Sequence, residues 1–301
     1  MLPFKHADQE VVDFYARSQA TPIPGVPDFD YKRVVDGERK ISFIKPLPAS
    51  SAGRTFELRS KVLGVYDKGK PGSVVETEQV IVDKGSGEVY TRAVGSAFFV
   101  GQGGWGGPKG MGFFPVVASK TSIRAVLPAL LLSIFETENS DSNANQPLYT
   151  GPKNVSYDPP KGRSPCATHT FQTTNETALL YRLNGDYNPL HADPAPGVKM
   201  GFDGCIIHGL FTWNSTAHAL LATLGGSDPA NIRDFAARFA SPVKPGDKLI
   251  TEMWRMGNAD KDGWEEVRFI TRIEGGKVCL SNGRAVVKVV GKGSGATKSK
   301  L

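Results

Sequence analysis

A chain of 301 residues, 40% hydrophobic and 22% charged, has the composition of an ordinary soluble globular protein, long enough for two core-bearing units or one large domain. Disorder is excluded as the default, and the longest apolar run, Ala125 to Phe135, is well short of the roughly 20 residues a bilayer span needs. The net charge of +6 is modest and spread along the chain, so it argues little for nucleic-acid binding; it is compatible with a small polyanionic ligand, although a solvated surface is the simpler account.

The N-terminus, MLPFKHADQE, lacks a hydrophobic signal region, so secretion is not expected. From Arg54 to Val100 the chain reads as three β-segments, RTFELRSKVLGVY, SVVETEQVIV and EVYTRAVGSAFFV, separated by the turn clusters DKGKPG and DKGSG, which predicts an antiparallel meander. The segment that follows, Gly101-Gln102-Gly103-Gly104-Trp105-Gly106, matches GxGxxG formally. A dinucleotide site needs a helix to start at the third glycine, and PKGMGFFP follows instead, so a loop is predicted. In Met111 to Pro165, Ile123, Val126, Leu127, Leu130, Leu131, Ile134 and Phe135 fall at helical spacing. Pro128 interrupts them, and this predicts a kinked or broken amphipathic helix and a linker.

The stretch Tyr181 to Leu210, YRLNGDYNPLHADPAPGVKMGFDGCIIHGL, concentrates an acid, an amide and two imidazoles on turn-rich backbone. Asp186, Asn188 and His191 lie within six residues, and Gly185, Pro189 and Pro194 break any helix or strand that would point them to different faces. One loop can therefore bring all three to one water. The plainer alternative is that Asp186 only caps a turn and His191 only bonds backbone. Against it stands His208-Gly209, which opens an apolar helix over Ile207 to Leu224 that ends at Gly225-Gly226. The free N–H groups at such a helix start carry partial positive charge and can stabilise an oxyanion. An acid/base pair beside an oxyanion donor is equipment for adding or removing water next to a polarised carbonyl.

From Ile232 to Val290 a second set of β-segments is predicted: FAARFASPV, KLITEMWRM, WEEVRFITRI and VCLSNGRAVVKVV. A helix followed by strands long enough to wrap it implies α+β packing, a sheet curled around a helix, and not a doubly wound fold. Cys166, Cys205 and Cys279 cannot all pair and show no CxxC spacing, which fits reduced thiols in place of a disulfide framework. Cys205 and His208 stand at Cys-x-x-His spacing, but with no second ligand pair they predict no zinc site. His6, His169 and His218 read as surface or structural histidines. The final residues Ser299, Lys300 and Leu301 match the peroxisomal import tripeptide after an accessible GKGSGATK, so peroxisomal targeting through the import receptor is expected.

The string YRLNGDYNPLHADP, followed by GF and then IIHGL, resembles the hydratase 2 signature of the MaoC-like, R-specific 2-enoyl-CoA hydratases. ARFASPVKPGDKLITEMW is similar to the strand pair that follows in that family, and VVDGERKISFIKPLP, DKGKPGS and FFVGQGGWGG resemble the first half of its eukaryotic double-hotdog members. The resemblance implies an α+β double hotdog, two antiparallel sheets each wrapped around a helix. It implies a non-catalytic half over residues 1–110 that accommodates the acyl tail, a linker over 111–165, a catalytic half over 166–291 and a tail over 292–301. It further implies a lyase acting on an acyl-CoA thioester, as a homodimer, with no metal or redox cofactor and with coenzyme A entering as part of the substrate. Residue by residue, it implies that Asp186 and His191 form the catalytic pair, Asn188 helps hold water and the Gly209 N–H binds the thioester oxygen. Gly37, Lys68, Tyr187, Pro189, Leu190, His208 and Phe239 are the implied substrate contacts.

This chain departs from the family pattern in three places. Asp36-Gly37-Glu38-Arg39 stands where His-Gly-Glu-Gln is usual, which puts a ligand contact at position 36 in doubt. DGCII replaces a proline-containing segment before His208, and Asn214 replaces a common helix glycine. The segment before Asp30 is short and that over 111–165 long, which suggests that Ile123 to Phe135 covers surface a longer N-terminus would cover. The leading expectation is reversible hydration of a trans-2-enoyl-CoA to the (3R)-3-hydroxyacyl-CoA, with the base and acid of the pair left open. The rivals are a dehydratase for a specialised β-hydroxyacyl thioester in biosynthesis, a hotdog thioesterase, and a non-catalytic acyl-CoA-binding protein.

Overall fold

A computed structural model describes residues 22–109 and 155–290. His6, Ile123 to Phe135, most of the expected linker, and the Ser299, Lys300 and Leu301 tripeptide lie outside the described residues. Among the described residues, nine strands form one antiparallel sheet: β1 (Val34–Phe43), β2 (Phe56–Asp67), β3 (Gly72–Asp83), β4 (Val89–Val100), β5 (Ala167–Gln172), β6 (Ile232–Phe239), β7 (Lys248–Arg255), β8 (Trp264–Ile273) and β9 (Val278–Lys288). Their spatial order is β2-β3-β4-β1-β6-β9-β8-β7-β5. The order 1-4-3-2 in the first half recurs as 6-9-8-7 in the second, so one strand meander occurs twice. The two copies meet antiparallel at their first strands, from Glu38 opposite Arg238 to Ser42 opposite Asp234.

The β-segments read from alternation and turn residues fall on β2, β3, β4 and β6 to β9. β6 ends at Phe239 and not at Val243, because Pro242 cannot continue a ladder. β5 alternates weakly and is largely exposed on the outer edge, so periodicity did not mark it. The GxGxxG segment is a loop, as expected. The Asp67 carboxylate accepts N–H bonds from Gly69 and Gly104 at 2.8 and 2.7 Å and from Gly106 at 2.9 Å. These donors, Gly104 foremost, hold its carboxyl below the ordinary range, and they tie the loop down as structure.

The second half carries the helix its strands wrap. After the short helices α1 (Thr177–Tyr181) and α2 (Pro194–Lys199), α3 runs from Gly209 to Leu224 and buries Thr212, Trp213, Thr216, Ala219, Leu220 and Leu224. Of these, Trp213, Ala219, Leu220 and Leu224 pack with Phe235, Met253, Val267, Phe269 and Leu280 of the surrounding strands. Ile41 and Phe43 of β1 pack against the same cluster, so the first half contributes to the core of the second. Between Trp213 and Phe235 the ring centroids are 4.5 Å apart, edge to face, and Phe235 stacks on Phe269 at 5.0 Å. Thr216, Thr271 and Thr251 satisfy one another through hydroxyl contacts of 2.9 and 3.0 Å. Among the described residues of the first half the only helical turn is Tyr31–Arg33, and no described helix is long and apolar enough to cross a membrane.

Candidate active site

The site lies where the irregular segment between α1 and α3 meets the start of α3. Gly185 closes the turn after α1 at φ 98°, a left-handed conformation that favours glycine, and the chain then turns into Asp186. Asn188 caps a 3-10 turn, Pro189–His191, with Pro189 at its first position, where a missing N–H costs nothing. The Asn188 side-chain oxygen accepts the Leu190 N–H at 3.1 Å, and the Asn188 N–H donates to Asp186 at 3.2 Å. The amide nitrogen of Asn188 is the group that can donate to a water.

His191 is 8% exposed, and its Nδ1 lies 2.8 Å from the Ile206 carbonyl. A carbonyl only accepts, so the proton sits on Nδ1 and the Nε2 lone pair is left for chemistry. Ile206 of the DGCII segment therefore orients the imidazole through its backbone. That segment is itself held by the Ile207 N–H on the Val243 carbonyl at 2.7 Å and by an Asp203–Lys244 ion pair. His208, 1% exposed, stacks on His191 with centroids 3.7 Å apart, and its Nε2 lies 3.3 Å from the Asp186 carbonyl. The Asp186 carboxylate is 4.0 Å from the same nitrogen, with 23% of its side chain exposed.

Burial pushes all three groups toward their neutral forms. It pulls His208 down to about 3, helped by the neighbouring His191, so the 4.0 Å approach to Asp186 is not an ion pair near neutral pH. It lowers His191, and it raises Asp186 above the ordinary carboxylate range in spite of the opposing pull of His191. A carboxyl displaced upward beside an imidazole displaced downward can share one proton, as an acid/base pair requires. Asp186, His191 and His208 also form a cluster whose possible ligand atoms lie within 4.8 Å of one another. A metal ion lies in the plane of each imidazole about 2 Å from its nitrogen. Rings stacked with 24° between their planes cannot both meet that condition, so the trio fits proton transfer better than ligation.

Gly209 is the first residue of α3, with its N–H among those that have no partner within the helix. A methyl group there would come within 3.0 Å of the Phe239 ring and 3.2 Å of an Asp36 carboxylate oxygen, so Gly209, Phe239 and Asp36 line one space. Gly37 lies at a β-bulge beside Asp36, where the pairing of β1 with β4 shifts register. Tyr187 receives Arg182 on its carbonyl at 3.3 Å and under its ring at 5.8 Å, while Pro189 and Leu190 are buried beneath the loop. Lys68 is different: its ammonium donates to the Lys109 carbonyl at 2.6 Å and lies over Tyr66, contacts that stay within the first half. Tyr181 carries no sequence signal that would mark it. Its ring lies 4.9 Å from that of His208 at a 58° tilt, and its hydroxyl accepts from Asn214 at 3.0 Å, which gives the unusual Asn214 a role.

The "MaoC like domain" family model matches residues 157–275, and the "MFE-2 hydratase 2 N-terminal domain" model matches residues 10–101. The chain is 44% identical over 303 residues to "Probable dehydratase NIT22" of Ajellomyces capsulatus, covering 97% of this chain and 70% of that protein. It is 31% identical over 228 residues to "Peroxisomal multifunctional enzyme type 2" of Drosophila melanogaster, covering 76% of this chain and 31% of that one. The crystal structure of a MaoC-like dehydratase from Phytophthora capsici superposes with a TM-score of 0.63 at 26% identity, covering 91% of this chain and 78% of that one.

Proposed function

This chain belongs to the MaoC-like hydratase/dehydratase family and is a hydro-lyase with a hotdog fold, and from that premise we propose that it interconverts a trans-2-enoyl-CoA and its (3R)-3-hydroxyacyl-CoA. The observation that carries this reading is the Nδ1 contact of His191 with the Ile206 carbonyl, which leaves Nε2 unprotonated beside a carboxyl that burial raises. In hydration, water lies between Asp186 and His191. Nε2 takes a water proton as the oxygen adds to C3, and protonated Asp186 gives its proton to C2 from the same side. Return of the proton from imidazolium to carboxylate resets the pair. Negative charge gathers meanwhile on the thioester oxygen, where the Gly209 N–H at the positive end of α3 receives it. One such donor contributes about 3 kcal/mol in other enzymes. Asn188 holds the water through its amide nitrogen.

The name of the 44% identical relative favours the dehydration direction as a second reading of the same chemistry. The first half serves as the wall for the acyl tail, with Gly37 among its contacts, and the second carries the acid/base pair. Similarity to a peroxisomal enzyme supports a peroxisomal site of action, with a homodimer as the working form. The test offers purified protein a chain-length series of enoyl-CoAs and reads the product stereochemistry. Asp186→Asn and His191→Gln are each expected to lower turnover by on the order of a hundredfold or more, with the fold retained. A 3S product, or free acid plus CoA, would overturn the reading.

A further inference from the structure

Asp36 and Arg39 are the two residues of Asp36-Gly37-Glu38-Arg39 that depart from the family pattern, and the bulge at Gly37 turns both toward the same face of β1. The bulge is held by the Glu38 N–H on Ser96 Oγ at 2.8 Å. Arg39 donates twice to one carboxylate oxygen of Asp36, Oδ1, from Nη2 at 2.8 Å and from Nε at 3.2 Å. The other oxygen, Oδ2, is the one that faces Gly209. Both side chains are about three-quarters buried, at 28% and 25% exposure. The first half thus delivers an oriented carboxylate, anchored on its far side by a guanidinium, to the start of α3.

A bare carboxylate at that place would oppose any negative charge that gathers beside the Gly209 N–H, since like charges a few ångströms apart repel strongly in a partly buried setting. We propose that Asp36 and Arg39 act as a charge-compensated positioning pair, in which Arg39 anchors and neutralises the carboxylate so that the Asp186–His191 pair keeps its working protonation. This rests on the hydration reading of the site. The other groups that face the pair are Arg182, Tyr181 and His208. The Asp36 charge bears on Asp186, His191 and Tyr181, in each case raising the proton affinity, after burial and nearer partners.

The experiment uses the full chain and the variants Asp36→Asn, Arg39→Gln, Arg39→Lys and the double Asp36→Asn/Arg39→Gln. Two quantities are read: the NMR titration of the His191 ring in the free protein, and the pH profile of hydration. Loss of Arg39 leaves the carboxylate uncompensated, so Arg39→Gln should raise the His191 titration by on the order of one pH unit and lower kcat about tenfold at little change in KM. Asp36→Asn should lower that titration, the double variant should return it near the starting value, and Arg39→Lys should stay close to the unmodified protein. Single variants that leave the titration unmoved, a double variant worse than either single one, or Arg39→Lys and Arg39→Gln behaving alike would overturn the pair. A protein that hydrates no enoyl-CoA sinks the hydration reading, whereas the titration still decides whether Arg39 compensates Asp36.

Discussion

At the scale of single residues the site depends on which atoms are already committed. Ile206 takes the proton-bearing nitrogen of His191, Leu190 takes the oxygen of Asn188, and the Asp186 carbonyl takes Nε2 of His208. His208 Nδ1 is buried without a hydrogen-bond partner among the described residues, which leaves the Asp186 carbonyl as the ring's hydrogen-bond support for a charge, too little to offset burial. This has a consequence for stability. The unfolded chain takes up a proton on His208 near pH 6.5, while the folded chain refuses it until about pH 3. The His208 contribution to stability is therefore fully present above pH 6.5 and falls as the pH drops toward 3, by up to roughly 1.4 kcal/mol per pH unit, opposed by Asp186, whose raised proton affinity favours the fold as the pH falls. His191 acts in the same direction, so His208→Gln should flatten the dependence without removing it. Denaturant melts at several pH values between about 4 and 7 would show this, and an unchanged slope would refute the assignment.

At the scale of elements α3 links the core to the chemistry. One face of it is covered by strands, with Trp213, Phe235 and Phe269 forming a continuous aromatic column, while its first residue opens on the site. Loss of the Phe235 ring would leave a cavity against both neighbours. Phe235→Ala should cost about 3–5 kcal/mol, read as a shift in the urea midpoint at constant slope. Because the same column holds α3, the variant should also lose activity before it unfolds; a fully active variant would mean that the helix start is held independently of its core. β1 shows the same coupling, with Ile41 and Phe43 in the core of the second half and Asp36 facing Gly209.

At the scale of the whole molecule the seam between β1 and β6 decides how the protein behaves. Two copies of one meander share a single ladder, and β1 pairs on both sides, with β4 and with β6. A strand buried in the middle of a nine-stranded sheet is not released while its neighbours stay folded. Thermal unfolding should therefore be one transition, with calorimetric and van't Hoff enthalpies in agreement, and two separated transitions would show that the halves are independent. The site follows the same rule, since Asp36 comes from one half and Gly209 from the other.

Much of this was legible in the sequence, because local rules govern it. Alternation and turn residues marked seven of the nine strands, with the β6 segment running past its end at Phe239. Gly185 and Pro189 required the turn that carries Asp186, Asn188 and His191, and Gly209 begins the apolar helix that its pattern announced. The order of strands, the fusion of two sheets through β1 and the approach of Asp36 to Gly209 from the opposite half of the chain were not legible. Nor was the role of Ile206, since a backbone carbonyl has no signature in its residue type. Local chemistry determines which residues can turn, cap or carry a proton; only long-range packing decides which of them meet, because the contact of Asp36 with Gly209 depends on a ladder whose register neither segment encodes alone.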